Sequence, residues 1–372
     1  MNIFVNATAA DVGGLHTIVN LFLQSIKRYD SKNKYYIFVS NNLFDHHETH
    51  NIKIIKVYKK RWIKRFFWDA YGVKQWSKRT GIIADKIISL QNTPIRYNEQ
   101  TPQIIYLHTP LPFVRYNWNL LKSHERKLWF YKNIYPFFIK MFLNENCKII
   151  VQGNWLKREI TSRYKIAKEK IYVIPPNVNI SNNISQKETI LSSDHYITFF
   201  YPAKDYIYKN HLTLLKALKY IKLNREDIYR KIKLIFTLDQ NSWVFQEAQK
   251  LLVSDSIDFV GNLKYEEVLS IYKECNNVLF PSYVETFGLP LIEAAYFRKR
   301  ILCANEEYAR EVIGKYKGAI FIESKNAVEW AKAILNSFNN TANISYNFSA
   351  FTNEDSWKKL FDILLMEERI DK

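Results

Sequence analysis

Short apolar runs separated by helical patterning limit the fold of this chain more than any other feature. In the first half Ile3–Val5, Tyr35–Val39, Ile52–Val57, Lys86–Leu90, Ile104–Leu107, Ile149–Val151 and Ile171–Ile174 read as strands. In the second half Tyr196–Tyr201, Ile232–Thr237, Ile257–Val260, Val278–Phe280, Ile301–Ala304 and Ala319–Phe321 do the same. Runs with little polar alternation suit strands covered on both faces, and helices between them supply the cover. The chain should therefore form parallel α/β sheets. The polar run Ser181–Asp194 interrupts the alternation, and 372 residues exceed one ordinary core. Two domains are expected, residues 1–180 and 181–352, followed by an amphipathic terminal segment over 353–372.

Charge separates the same two halves. Residues 1–180 carry 29 Lys and Arg against 11 Asp and Glu, whereas residues 181–372 carry 25 against 25. The whole net charge of +18 therefore belongs to the first half, which points to an anionic partner for that half alone. Within it, residues 56–79 interleave Lys59, Lys60, Arg61, Lys64 and Arg65 with Trp62, Phe66, Phe67 and Trp68. Residues 126–142 repeat the mixture with Lys127, Lys132 and Lys140 among Trp129, Phe130, Phe137 and Phe138. Cations with aromatic rings suit an anionic membrane surface. Single-stranded nucleic acid would accept the same composition, as would a helix with a solvated basic face and a buried aromatic stripe. No RNA-recognition signature accompanies either stretch, so the expected partner is a membrane and not a nucleic acid.

No apolar run reaches membrane-spanning length, and the N-terminus carries no signal-peptide pattern. Cys147, Cys275 and Cys303 are isolated in apolar settings, which suggests buried thiols in a reducing compartment. The expected location is cytoplasmic, at the inner face of the membrane. Asp45-His46-His47-Glu48-Thr49-His50 invites a metal reading, but its spacing lacks a ligating frame, and a solvated connection is expected instead.

The segment with the most chemistry is Pro281-Ser282-Tyr283-Val284-Glu285-Thr286-Phe287-Gly288-Leu289-Pro290-Leu291-Ile292-Glu293. It follows the run Val278–Phe280 and precedes helical composition from Leu291 to Phe297, with Pro290 suited to a first helical turn. The loop around Phe287, Gly288 and Leu289 should offer backbone N–H groups to an anion. Glu285 and Glu293 flank it, and carboxylates beside an anion site suit sugar or ribose hydroxyls rather than the anion itself. Earlier in the chain Gly13-Gly14 lies between a strand and a helix, as a ligand cradle or simply a tight turn. His108 directly follows a strand, where α/β ligands bind, although a lone histidine is often structural. Lys204 and Lys209 stand between the strand ending at Tyr201 and a helix from Leu212, a phosphate-binding arrangement.

The sequence Glu285-Thr286-Phe287-Gly288-Leu289-Pro290-Leu291-Ile292-Glu293 resembles the E-x-F-G-x-x-x-x-E signature of family 4 retaining glycosyltransferases with the GT-B fold. Ile171–Val178 is similar to the segment closing the first domain in that family, with Pro176 in place of simple continuity and without the usual glycine. Lys209-Asn210 matches the family's phosphate-gripping lysine, whereas Ala203 stands at the position of its arginine, leaving Lys204 as a substitute point charge. The resemblance implies two Rossmann-like domains facing across a cleft, with a C-terminal helix crossing back to the first. It implies an acceptor-binding first domain and a nucleotide-sugar-binding second domain. Glu285 and His108 would then be catalytic. Gly13, Gly14, Lys204, Lys209, Asn262, Leu263, Phe287, Gly288, Leu289 and Glu293 would bind the donor, with Asn262-Leu263 beside the base.

The implied reaction is transfer of a hexose-type sugar, with retention, from a nucleotide-diphosphate donor to a hydroxyl of a polyprenyl-diphosphate-linked glycan in bacterial surface-polysaccharide synthesis. No Asp-x-Asp triplet occurs, so neither a metal nor another cofactor is expected. A sugar-nucleotide epimerase or hydrolase on the same fold, or a non-catalytic basic membrane- or nucleic-acid-binding protein, would share many of these features.

Overall fold

The computed structural model describes residues 1–11, 14–57, 62–178, 196–339 and 355–366. The run Ser181–Asp194 and residues Gly13, Lys59, Lys60 and Arg61 lie outside the described residues. The chain divides into two compact units, Met1–Asn177 with Glu354–Lys372, and Val178–Asn353.

The first unit holds β1 (Asn2–Asn6), β2 (Lys34–Val39), β3 (Ile52–Lys56), β4 (Lys86–Ser89), β5 (Gln103–Leu107), β6 (Cys147–Val151) and β7 (Ile171–Val173). They form one sheet in the order β3-β2-β1-β4-β5-β6-β7, and every pairing is parallel. The second unit holds β8 (Ile197–Tyr201), β9 (Ile232–Phe236), β10 (Ile257–Phe259), β11 (Asn277–Phe280), β12 (Arg300–Ala304) and β13 (Ala319–Ile322). Its order is β10-β9-β8-β11-β12-β13, again all parallel. Central strands such as β5 and β11 are buried along their whole length, which explains why they are apolar beyond their first residues, Gln103 and Asn277. The edge strand β3 instead carries exposed Lys53 and Lys56 among its isoleucines, a common guard against edge pairing.

Each sheet reverses its winding once, between β1 and β4 in the first unit and between β8 and β11 in the second. At such a switch point adjacent loops part beyond the carboxyl ends of the strands and leave a ligand-sized gap. The loops after β1, β4, β8 and β11 thus occupy the positions best suited to chemistry.

The terminal helix Ser356–Leu365 belongs to the first unit. It buries Leu360, Phe361 and Leu364. Phe361 stacks on Phe22 of the helix Gly14–Tyr29 at 5.4 Å between ring centroids. Asp355 caps its start, accepting from the backbone N–H of Trp357 at 3.0 Å and Lys358 at 3.3 Å. The same carboxylate accepts from the Tyr29 hydroxyl and pairs with Arg28 at 3.2 Å. All three cysteines are buried thiols.

Several sequence expectations shift by a residue or two. The helix expected from Leu291 begins at Leu289, because Gly288 takes a left-handed φ of 89° at its cap. Asn154, expected as a cap, is the first residue of its helix, and Gly153 holds the cap position in extended conformation. The connection at 45–50 is less solvated than expected. Asp45–His47 forms a single 3₁₀ turn in which His47 is buried against Asn20 at 3.0 Å and Asp45 pairs with Lys56 at 2.7 Å.

Candidate functional site

In the second unit the loops after β8 and β11 carry the charged pair. Lys209 ends a short 3₁₀ turn, Ile207–Lys209, and its ammonium binds the Glu285 carboxylate directly. The two side chains are only 18% and 15% exposed, so the pair works in a partly desolvated setting. An ammonium carries three donors and a carboxylate about four acceptor sites, so each keeps capacity beyond the mutual contact. Lys209 also stands over the Tyr208 ring at 5.9 Å.

Backbone and polar contacts hold this arrangement in place. Asn210 adopts a left-handed φ of 63°, a conformation asparagine tolerates better than most residues. Its Nδ2 donates to the carbonyls of Pro281 at 3.0 Å and Ser324 at 2.5 Å, and its Oδ1 accepts from the Thr213 hydroxyl at 2.8 Å. The loop after β8 is thereby tied to the loop after β11. The carbonyl of Tyr208 accepts from the Tyr283 N–H at 3.0 Å, and the Tyr201 hydroxyl donates to the Lys209 carbonyl at 2.7 Å. The Tyr308 hydroxyl donates to the Ser282 carbonyl at 2.5 Å. His211 sits beneath, fully buried between Tyr201 and Phe236, with burial holding its pKa down to about 3, so it stays neutral beside Lys209.

The bend at Gly288 has little room. A Cβ there would come within 3.2 Å of the Tyr308 ring and 3.3 Å of Leu291, in a backbone conformation that L-residues avoid. Phe287 is buried, and Leu289 opens the helix Leu289–Tyr296. One turn further on, Glu293 is buried and accepts from the Tyr265 hydroxyl at 3.0 Å. Burial raises its pKa, against the pull of the hydroxyls of Tyr265 and Tyr272. Tyr265 begins the helix that follows Asn262-Leu263, so Glu293 is coupled to that turn rather than to Glu285. Asn262 itself is exposed and donates to Asp239 at 3.4 Å. Lys204 is exposed near the end of β8, beside buried Ala203.

The first unit places its candidates differently. Gly14 opens the helix after β1, with open space around its Cα. His108 follows β5, and its Nε2 lies 3.1 Å from the Leu90 carbonyl. Asn92 Nδ2 also approaches Nε2, at 3.4 Å; the shorter carbonyl contact favours a proton on Nε2, and the amide contact favours a lone pair there. Burial lowers the His108 pKa to about 4, leaving the ring neutral at ordinary pH. Its backbone N–H and that of Thr109 both donate to Asn92 Oδ1, at 2.7 and 3.1 Å.

Sequence reasoning missed the residue beneath this array. Asp69 is buried in a π-helical turn, Trp68–Gly72, and accepts from Asn6 Nδ2 at 2.7 Å, Gln91 Nε2 at 3.1 Å and Thr93 Oγ1 at 3.1 Å. Burial pushes its pKa up to about 7 despite these donors. Gln91 Oε1 in turn accepts from Thr8 Oγ1 at 3.1 Å and the Ala9 N–H at 3.0 Å. A lone acid inside a basic, aromatic stretch was the available signal.

The two basic aromatic stretches converge. Trp62 meets Phe130 edge-on at 5.2 Å and Phe138 at 4.7 Å, and Phe66 meets Phe138 at 5.2 Å. Beside this cluster Ile63, Phe67, Ile134 and Phe137 are exposed, Phe137 by 60%. Among the described residues no helix is long and apolar enough to cross a membrane.

Residues 182–349, almost the whole second unit, match the family described as glycosyl transferases group 1. The chain is similar to the O-antigen chain mannosyltransferase RfbU of Salmonella typhimurium, 24% identical over 235 residues covering 62% of this chain. That alignment spans 63% of the relative's own length. Among solved structures it is similar to WaaG, a glycosyltransferase involved in lipopolysaccharide biosynthesis, with a TM-score of 0.65, 13% identity and coverage of 98% and 100% of the two chains. It is also similar to Anabaena HepE in complex with UDP, with a TM-score of 0.60, 14% identity and coverage of 98% and 95%. The fold is GT-B, two Rossmann-like units in one chain.

Proposed function

We propose that the protein is a retaining glycosyltransferase that moves a hexose-type sugar from a nucleotide-diphosphate donor to a hydroxyl of a lipid-linked glycan in bacterial surface-polysaccharide synthesis. The observation that carries this reading is the Lys209–Glu285 pair at the switch point of the sheet in the family-matched unit. Lys209 neutralises charge on the departing diphosphate, aided by Lys204 and by the helix start around Phe287, Gly288 and Leu289. This requires no metal. Glu285, already oriented by Lys209, accepts hydrogen bonds from donor-sugar hydroxyls. Glu293 serves the ribose beside Asn262 and Leu263, and His108 lines the reacting face as a neutral imidazole. By the family resemblance, Gly13 and Gly14 belong with the donor-binding residues.

The acceptor side belongs to the first unit. Its exposed rings and cations suit peripheral docking on anionic lipid at the inner face of the plasma membrane, where a polyprenyl-diphosphate-linked acceptor resides. RfbU and WaaG, by their names, act in O-antigen and lipopolysaccharide synthesis, which supports this placement. Turnover of a nucleotide sugar in the presence of membrane extract, with and without Glu285→Ala, tests the reaction. Donor breakdown that needs no acceptor would point to a hydrolase or epimerase instead.

A further inference from the structure

We infer that Asp69 is a positioning residue that sets the orientation of His108 from beneath, through the two residues flanking Asn92. The inference rests on the reading of His108 as a group lining the reacting face. Asn92 stands in the left-handed region at φ 71°, a turn conformation that asparagine tolerates. Its neighbours on both sides are fastened to one carboxylate. Gln91 Nε2 reaches Oδ1 and Oδ2 of Asp69 at 3.1 and 3.2 Å, and Thr93 Oγ1 reaches Oδ2 at 3.1 Å. Asn92 Oδ1, so aimed, receives the N–H groups of His108 and Thr109. Leu90, one residue before Gln91, supplies a carbonyl 3.1 Å from His108 Nε2. The loop after β4 thus holds the imidazole by its backbone and by its ring, and Asp69 holds the loop.

The same carboxylate also fastens the loop after β1. Asn6 ends β1 and donates to Asp69, while Gln91 passes the connection on to Thr8 and Ala9, ahead of Gly14. Both sides of the switch point in the first unit therefore share one buried acceptor. Asp69 can serve in this way because the π-helical turn inserts an extra residue into the helix, a local distortion often found at functional sites. Gly72 makes the turn possible, since a Cβ there would lie 2.2 Å from the Trp68 ring. Asp69 is buried, so it acts through the loops it fastens, and the loop after β4 carries its effect to His108.

The direct test is the ring-nitrogen NMR spectrum of His108 at pH 8.5, where Asp69 is ionised, assigned with His108→Gln. The wild type should show one neutral tautomer with the proton on Nε2. Asp69→Ala, and Asn92→Ala as the reference, should show averaging between both neutral tautomers. Should Asp69→Ala fail to fold, Asp69→Asn and Thr93→Val supply graded versions. Asparagine keeps one acceptor oxygen but turns N–H donors toward donors, and valine removes a single anchor. In the transfer assay, Asp69→Asn should lower kcat by about 10- to 100-fold with donor KM within about twofold, as expected for a misplaced reacting group. A His108 spectrum unchanged in a folded Asp69 or Thr93 variant overturns the inference. Full transfer by His108→Gln with a normal tautomer shift in Asp69→Asn would overturn the role of His108 instead, leaving the positioning itself intact.

Discussion

The two switch points are wired alike but hold charge in opposite ways. In the second unit the loops after β8 and β11 meet through an ion pair, Lys209 with Glu285, near the surface and with spare donors and acceptors. In the first unit the loops after β1 and β4 meet through one buried carboxylate, Asp69, whose hydrogen-bond partners are all neutral and which feels the Arg65 charge only at a distance. A charged pair with spare valence suits binding of a charged, hydroxylated ligand. A buried carboxylate filled by neutral donors has nothing left to bind with and serves to hold other groups still. The comparison assigns grip to one unit and alignment to the other.

Breaking the grip should have the largest effect. Lys209→Ala and Glu285→Ala are each expected to reduce kcat/KM for transfer by roughly 1000-fold, the scale seen when a charge-stabilising contact is removed. Steady-state kinetics on purified variants checks this, with circular dichroism to confirm folding.

The aligning groups should reveal themselves in the pH dependence of stability. Asp69 has a folded pKa of about 7, above the ordinary aspartate value, so its contribution is present in acid and lost as pH rises toward 7. His108 has a folded pKa of about 4, below the ordinary histidine value, so its contribution is lost as pH falls from about 6.5 to 4. Between about pH 4.5 and 6 the two slopes oppose and nearly cancel. Asp69→Asn removes one of them and should make stability rise with pH relative to wild type. His108→Gln removes the other and should make it fall, each by up to about 1.4 kcal/mol per pH unit. Urea melts across that interval measure both, and slopes of the same sign would sink the assignment.

Away from the switch points the effects become smaller. Phe67→Ser with Phe137→Ser should weaken binding to anionic phosphatidylglycerol vesicles by about tenfold, since each ring is exposed and ready to be buried in lipid. Vesicle sedimentation in low salt reads this directly, and an unchanged partition would remove the docking face. Asp355→Ala should cost about 1 kcal/mol of first-unit stability through loss of a helix cap. A denaturant titration monitoring the first unit checks that value.

Much of the fold was legible because parallel strands are short, apolar and punctuated. β5, β6 and β11 lie within a residue or two of the runs that announced them. Helix ends were less legible, since Gly288 and Gly153 hold cap positions by backbone conformation rather than by side-chain chemistry. Glu285, Lys209 and Gly288 stood out through local spacing, and the structure joins the first two in one contact. The coupling of Glu293 to Tyr265 spans 28 residues and leaves no local trace. Asp69 was harder still, because Asn6, Gln91 and Thr93 reach it from separate parts of the chain, Asn6 from 63 residues away. Asn210 was visible as a neighbour of Lys209, but its grip on Pro281 and Ser324 depends on a left-handed backbone that sequence does not show.

The claim that matters most is that Lys209 grips the diphosphate of a nucleotide donor. Thermal unfolding of wild type and Lys209→Ala with UDP, GDP, dTDP and ADP in turn tests it most directly. One of the four should raise the wild-type midpoint and leave the variant's midpoint unmoved. An equal rise in both proteins would contradict the account.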